Sequence, residues 1–67
     1  MAITLKAARI NCQLTQKEAA EKLGISEKTL SNYENGISFP DVPVIQKIEL
    51  LYNVGYNDII FLPKEND

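Results

Sequence analysis

The sequence predicts an all-α fold, a compact bundle of five short helices. Apolar residues recur at helical spacing along most of the 67 residues. Residue types that begin or end helices separate these apolar segments. Gly24 and Gly36 favour helix ends, whereas Thr15, Ser26 and Asp41 favour helix starts.

The first two helices are expected before residue 25. The first is predicted over residues 3–11. The second begins at a capping box, in which the Thr15 hydroxyl accepts a backbone N–H and Glu18 reaches back to the Thr15 N–H. It ends at Gly24, because glycine adopts left-handed backbone angles at little cost.

Only Ile25 separates Gly24 from the cap of the third helix, which is predicted over residues 27–35. The fourth helix is expected to begin after Asp41 and to end at Asn53, with Pro43 tolerated in its first turn.

The last predicted helix covers residues 56–61, with Ile59 and Ile60 facing the core. The length supports a single domain, which we place at residues 1–62, followed by a short C-terminal tail at residues 63–67.

Composition excludes several functional classes. The sequence has one cysteine and no histidine, so disulfide frameworks, zinc fingers and His-dependent catalytic triads are excluded. We therefore expect no metal, no cofactor and no enzymatic activity. It also has no apolar run long enough for a membrane span and no signal-peptide pattern, so a soluble, cytoplasmic protein is expected.

Charge is unevenly distributed along the chain. The net charge is −2, which is unusual for a protein that binds nucleic acid. Residues 1–35 carry five Lys and Arg against four Glu, and residues 36–67 carry two Lys against five acidic residues. A mildly basic face and an acidic far side are expected.

The most informative stretch is residues 16–35. Two short capped helices are joined here by a turn too tight for an antiparallel hairpin, so they must cross steeply, with the small Ala20 at the crossing. The second of these helices keeps only polar residues outward, which suits entry into a DNA major groove. These residues are Glu27, Lys28, Ser31 and Asn32.

The run LTQKEAAEKLGIS at residues 14–26, continued by LSNYENG at residues 30–36, resembles the λ-repressor/Cro-like helix-turn-helix family. The resemblance extends over residues 5–60. It implies a bacterial or phage transcriptional regulator of the repressor type, which would act by steric exclusion of RNA polymerase. Such a regulator would read a near-palindromic double-stranded DNA operator as a homodimer, and no small-molecule ligand is expected.

The resemblance implies a role for each outward residue of the third helix. Glu27, Lys28 and Asn32 match the family's base-reading positions, and Ser31 lies between them. Lysine suits guanine, asparagine suits adenine, and glutamate can accept from cytosine. Glu27 is equally well explained as a first-turn charge favoured by the helix dipole.

Contacts to the DNA backbone are implied for a second set of residues. The set is Gln16, Thr15, Ser26, Thr29 and Asn35. Gln16 could also be an ordinary first-turn polar residue, Ser26 is in any case a helix cap, and helix capping explains Asn35 nearly as well.

The resemblance also implies an ion pair within the chain and a possible interface between two copies of it. Arg9 is expected to form a partly buried structural ion pair with Glu34, which would tie the first helix to the end of the third. Leu50, Tyr56 and Phe61 could form a dimer interface, although a single exposed leucine such as Leu50 is commonplace.

A second functional class stays open. The net negative charge and the acidic C-terminal half also suit an antitoxin or anti-repressor, whose helix-turn-helix would serve as a protein-interaction module. Binding to random duplex DNA at low salt distinguishes the two classes.

Overall fold

The computed structural model describes residues 2–61, so the predicted tail and the predicted domain end at residue 62 lie outside the described residues. Four α-helices form the body of the domain, together with a 3₁₀ turn and a two-stranded ladder. In chain order these are β1 (Ile3–Thr4), α1 (Leu5–Asn11), α2 (Gln16–Leu23), α3 (Glu27–Glu34), α4 (Val42–Tyr52), the 3₁₀ turn (Tyr56–Asp58) and β2 (Ile59–Ile60).

Side-chain caps begin all four helices. Thr4, Thr15, Ser26 and Asp41 each accept a hydrogen bond from the backbone N–H three residues later. The predicted capping box of α2 is present, since Glu18 also accepts from the Thr15 N–H at 2.9 Å. These local bonds satisfy donors that have no partner inside a helix.

The prediction of a fifth helix is wrong. Residues 56–58 form only a 3₁₀ turn, and β2 then pairs in parallel with β1, with Ile3 opposite Ile59. The strand alternates, because Ile59 is buried and Ile60 is 41% exposed. The predicted inward position of Ile60 is therefore also wrong. β-branched side chains favour this extended pairing over a helix.

The first helix is also shorter than predicted. It begins at Leu5 rather than at residue 3, because Thr4 has extended backbone angles and uses its hydroxyl as the cap of α1. Ile3 and Thr4 are thereby left in β1, where they form the partner that β2 requires.

The core lies where α2, α3 and α4 meet. Leu23, Leu30 and Ile48 are its largest fully buried side chains. Ala19 and Ala20 are buried as well, and their small side chains let the neighbouring helices approach α2 closely. None of the helices within residues 2–61 is long and apolar enough to cross a membrane.

Candidate nucleic-acid interface

A three-residue turn joins α2 to α3. Gly24 ends α2 with φ of 75°, a left-handed conformation that a side chain would strain. Added bulk alone would be tolerated, because a Cβ at this glycine would lie 3.6 Å from Lys47 Nζ. Ile25 is half-buried, and Ser26 at once caps α3. The short turn fixes α3 against α2.

The two sides of α3 differ in burial. Leu30 and Glu34 are buried on its inner side, whereas Glu27 and Lys28 are exposed. Lys28, Asn32 and Asn35 are spaced at i, i+4 and i+7, so they share the outer side. Within residues 2–61 no hydrogen bond or ion pair engages the side chains of Glu27, Lys28 or Asn32, which leaves them available to a ligand.

The hydroxyl groups at the start of α3 are already engaged. Ser26 Oγ accepts from the Thr29 N–H at 3.0 Å and donates to Thr29 Oγ1 at 2.8 Å. The cap satisfies the Thr29 N–H, while the amide groups in the first turn of α3 that it does not reach have no partner inside the helix and favour an anion at this end. Ser26 and Thr29 therefore already have a structural role, because their side chains stabilise the start of α3.

At the other end of α3, Asn35 is the C-cap residue, and its Nδ2 donates to Ser31 Oγ at 3.3 Å. The Ser31 hydroxyl is thus partly occupied by its neighbour, while the Asn35 side chain is exposed. Thr15 is likewise occupied as the cap of α2.

A buried charge cluster fastens the C-terminal end of α3. Arg9 Nε donates to Glu34 Oε2 at 2.8 Å, and Arg9 Nη2 donates to Glu34 Oε1 at 3.3 Å. Arg9 Nη1 also donates to the Leu14 carbonyl at 2.9 Å. Hydrogen bonding to Glu34 raises the pKa of Arg9 above its ordinary value. This pairing joins α1, the turn before α2, and α3.

The sequence did not predict a third partner in this cluster. Gln16 Nε2 donates to Glu34 Oε1 at 3.1 Å, so the first residue of α2 is bonded to the last residue of α3. Tyr52 is buried, and its hydroxyl has no hydrogen-bond partner among residues 2–61. Burial, followed by the charge of Glu34, raises the pKa of Tyr52 to about 12.

An apolar groove lies on the side of the molecule formed by the α3–α4 loop, α4 and the chain after it. Tyr56 and Phe61 meet there, with ring centroids 5.8 Å apart, and Phe39 contacts Phe61 at 6.2 Å. Val42 and Ile45 add to its apolar lining, and the remaining lining residues are Pro40, Gln46 and Glu49. We call the five apolar residues Phe39, Val42, Ile45, Tyr56 and Phe61 the apolar groove.

The groove differs from the predicted interface. Leu50 is 85% exposed but does not line the groove. Phe39 and Val42 were not predicted to take part, although both are more than 60% exposed. The only signal in the sequence that could have indicated Phe39 is that it is an aromatic residue in the loop between α3 and α4. Ile45 is half-buried and lines this groove as well.

Comparison with known proteins agrees with the geometry. A sequence profile described as helix-turn-helix matches residues 5–59, which is most of the chain. The chain belongs to the λ-repressor/Cro-like helix-turn-helix family.

Two relatives with assigned functions are similar to this member of the family. The HTH-type transcriptional regulator ImmR of Bacillus subtilis strain 168 is 52% identical over 51 residues, covering 76% of this chain and 40% of the relative. The antitoxin PezA of Streptococcus pneumoniae serotype 4 is 43% identical over 56 residues, covering 84% of this chain and 35% of the relative. The matches thus span two fifths or less of each relative.

Proposed function

We propose that this chain is a sequence-specific DNA-binding domain of a transcriptional regulator and that α3 enters the major groove. The observation that carries the proposal is the contrast between the two sides of α3. Its inner side is fixed by Leu30 and Glu34, whereas Lys28 and Asn32 stand outward without partners in residues 2–61. A rigid helix with free polar groups is what direct reading of base edges requires.

Base contacts are assigned to Lys28 and Asn32 first. Glu27 and Ser31 stand beside them and complete the proposed base-contacting set. Lys28 presents a cation that suits guanine, and Asn32 presents an amide that suits adenine. Glu27 can accept only from a base donor, and neighbouring phosphates repel it.

Backbone contacts are assigned to the starts of α2 and α3 and to the end of α3. The residues are Thr15, Gln16, Ser26, Thr29 and Asn35. Helix starts carry free amide groups and the positive end of the helix dipole, which both attract phosphate. Because the domain has few basic residues, one copy is expected to bind weakly.

Pairing of two copies would supply the missing affinity. Two recognition helices about 34 Å apart would lie in successive major grooves of a near-palindromic operator. The apolar groove supports this part of the proposal, since Phe39, Val42 and Tyr56 expose large apolar side chains next to one another.

Selection of binding sites from a random duplex pool tests the proposal. We expect an enriched sequence with two inverted half-sites, and affinity that falls steeply with salt. Lys28→Ala should reduce affinity for the selected site, whereas Lys6→Ala, which removes the same charge from an exposed position on α1, should have little effect. Failure to enrich any sequence would contradict the proposal.

The alternative is an antitoxin or anti-repressor that binds a protein partner. The similarity to the antitoxin PezA and the net charge of −2 favour it. A gel shift on random duplex DNA at about 50 mM salt separates the two functions, because non-specific DNA binding is strongest at low salt. Absence of binding to any duplex would favour the protein-interaction function.

A further inference from the structure

The carboxylate of Glu34 links residues from three helices. It belongs to α3, accepts from Arg9 on α1, and accepts from Gln16 on α2. The Glu34 side chain is only 3% exposed, whereas Gln16 is half-buried and reaches the surface. The buried carboxylate of Glu34 is thus in direct contact with Gln16, the side chain that we propose to contact the DNA backbone.

The chemistry of Glu34 determines how the Gln16 amide is turned. An ionised carboxylate is only an acceptor, so the amide must present its NH₂ group, not its oxygen, to Glu34. One amide hydrogen is then committed to Glu34 Oε1 at a nitrogen–oxygen distance of 3.1 Å. The second hydrogen remains free, and a phosphate oxygen, which also only accepts, can take it.

Glu34 itself cannot turn away from this arrangement. Arg9 holds both of its oxygens, and Arg9 is fixed in turn by the Leu14 carbonyl. A free glutamine at a helix start samples several rotamers, and ordering it on binding costs affinity. In this protein the Gln16 side chain is already ordered before DNA binds, because Glu34 holds its amide.

We propose that Glu34 is a positioning residue for DNA binding, which holds the Gln16 amide in the orientation that donates to a phosphate of the operator. This inference rests on the proposed function. It adds a second role for Glu34, beyond pairing with Arg9, and it couples the core to the DNA contact. The network runs from Arg9 through Glu34 to Gln16 and then to the phosphate.

A double-mutant cycle on operator affinity tests the coupling. Gln16→Ala should weaken binding about 10-fold or more in the native background, as expected for loss of one hydrogen bond to a charged group. In the Glu34→Gln background the same change should weaken binding less than about 2-fold, because a neutral amide at this position holds the Gln16 NH₂ group more weakly than the carboxylate does. Affinities are measured where every variant is folded, with Lys28→Ala as the control change that keeps its full effect in both backgrounds.

A second variant covers a failure of Glu34→Gln to fold. Glu34→Asp keeps the charge beside Arg9 but withdraws the carboxylate from Gln16 by one methylene, and it should reduce the effect of Gln16→Ala in the same way. The two Nε2 protons of Gln16 give a readout without DNA. In the native protein their NMR signals should be well separated, and in either Glu34 variant they should move together.

The outcomes separate this inference from the proposed function. If the native chain binds no duplex, both fail. If it binds but Gln16→Ala costs the same affinity in every background, the positioning role is overturned and DNA binding stands. If Glu34 variants only lower the midpoint of unfolding, Glu34 is structural alone.

Discussion

The two ends of α3 contrast sharply in how they are held. At the C-terminal end, Glu34 is buried and bonded to Arg9 and Gln16. At the N-terminal end, Glu27 and Lys28 are exposed and have no partner among residues 2–61. One end fixes the direction of the helix and the other is left free for a ligand. Changes at the two ends should therefore affect different properties.

The largest effect is expected at the buried end. Glu34→Leu leaves the Arg9 guanidinium buried without its partner, and should lower the free energy of unfolding by about 3 kcal/mol. Arg9→Met should cost a similar amount. The double variant should recover much of the loss, since apolar pairs often replace buried ion pairs without penalty. Urea denaturation measures the free energy of unfolding of the two single variants and of the double variant. If the single variants were as stable as the native chain, the ion pair between Arg9 and Glu34 would not contribute to stability.

The free end should show the opposite behaviour. Lys28→Ala and Asn32→Ala should each cost about 1–3 kcal/mol of operator affinity, because each removes a side chain that we propose to contact a base. Neither should change the free energy of unfolding by more than about 0.5 kcal/mol, since Lys28 is exposed, Asn32 is only half-buried, and neither side chain has a partner within residues 2–61. DNA titration measures the expected loss of affinity, and urea denaturation measures the expected lack of change in stability. A stability loss without an affinity loss would reverse the roles assigned to the two ends.

A smaller effect is expected next to the buried cluster. The Tyr52 hydroxyl is buried without a hydrogen-bond partner in residues 2–61, which costs stability. Tyr52→Phe should therefore leave the free energy of unfolding unchanged or raise it by about 1 kcal/mol. Thermal unfolding measures this, with the exposed Tyr56→Phe as the matched control. A clear destabilisation would mean that the hydroxyl has a partner, such as a bound water.

The smallest effect concerns pH at the start of α2. The Thr15 N–H bonds to Glu18 and lowers the pKa of Glu18 below its ordinary value of 4.5. A carboxylate with a lowered folded-state pKa stabilises the fold above pH 4.5, and this contribution disappears as the pH falls through the lower pKa. Glu18→Gln should flatten the dependence of the unfolding midpoint on pH between about 5 and 3. An unchanged pH profile would show that the Glu18 side of the capping box does not stabilise the start of α2.

Local signals were enough to predict most of the helices. Thr15 and Glu18, Gly24, and Ser26 act within a few residues of themselves, and the structure places each in its predicted local role. The pairing of β1 with β2 was missed because it joins residues 56 apart, and two isoleucines are too few to distinguish a strand from a helix.

The candidate site divides in the same way. The outward positions of Lys28 and Asn32 follow from helical spacing alone. The bond between Gln16 and Glu34 depends on how α2 and α3 cross, which no spacing within either helix encodes. Phe39 was missed because a loop has no periodicity from which to infer the direction of a side chain.

The ladder between β1 and β2 has a consequence for the order of events in folding. Ile3 and Ile59 can meet only after a loop of more than 50 residues has closed, whereas the helix caps form within single turns. Contacts between distant parts of a chain form late, so the ladder should join last. It should also separate first when the protein opens, and its amide hydrogens should exchange with solvent before those of α2 and α3.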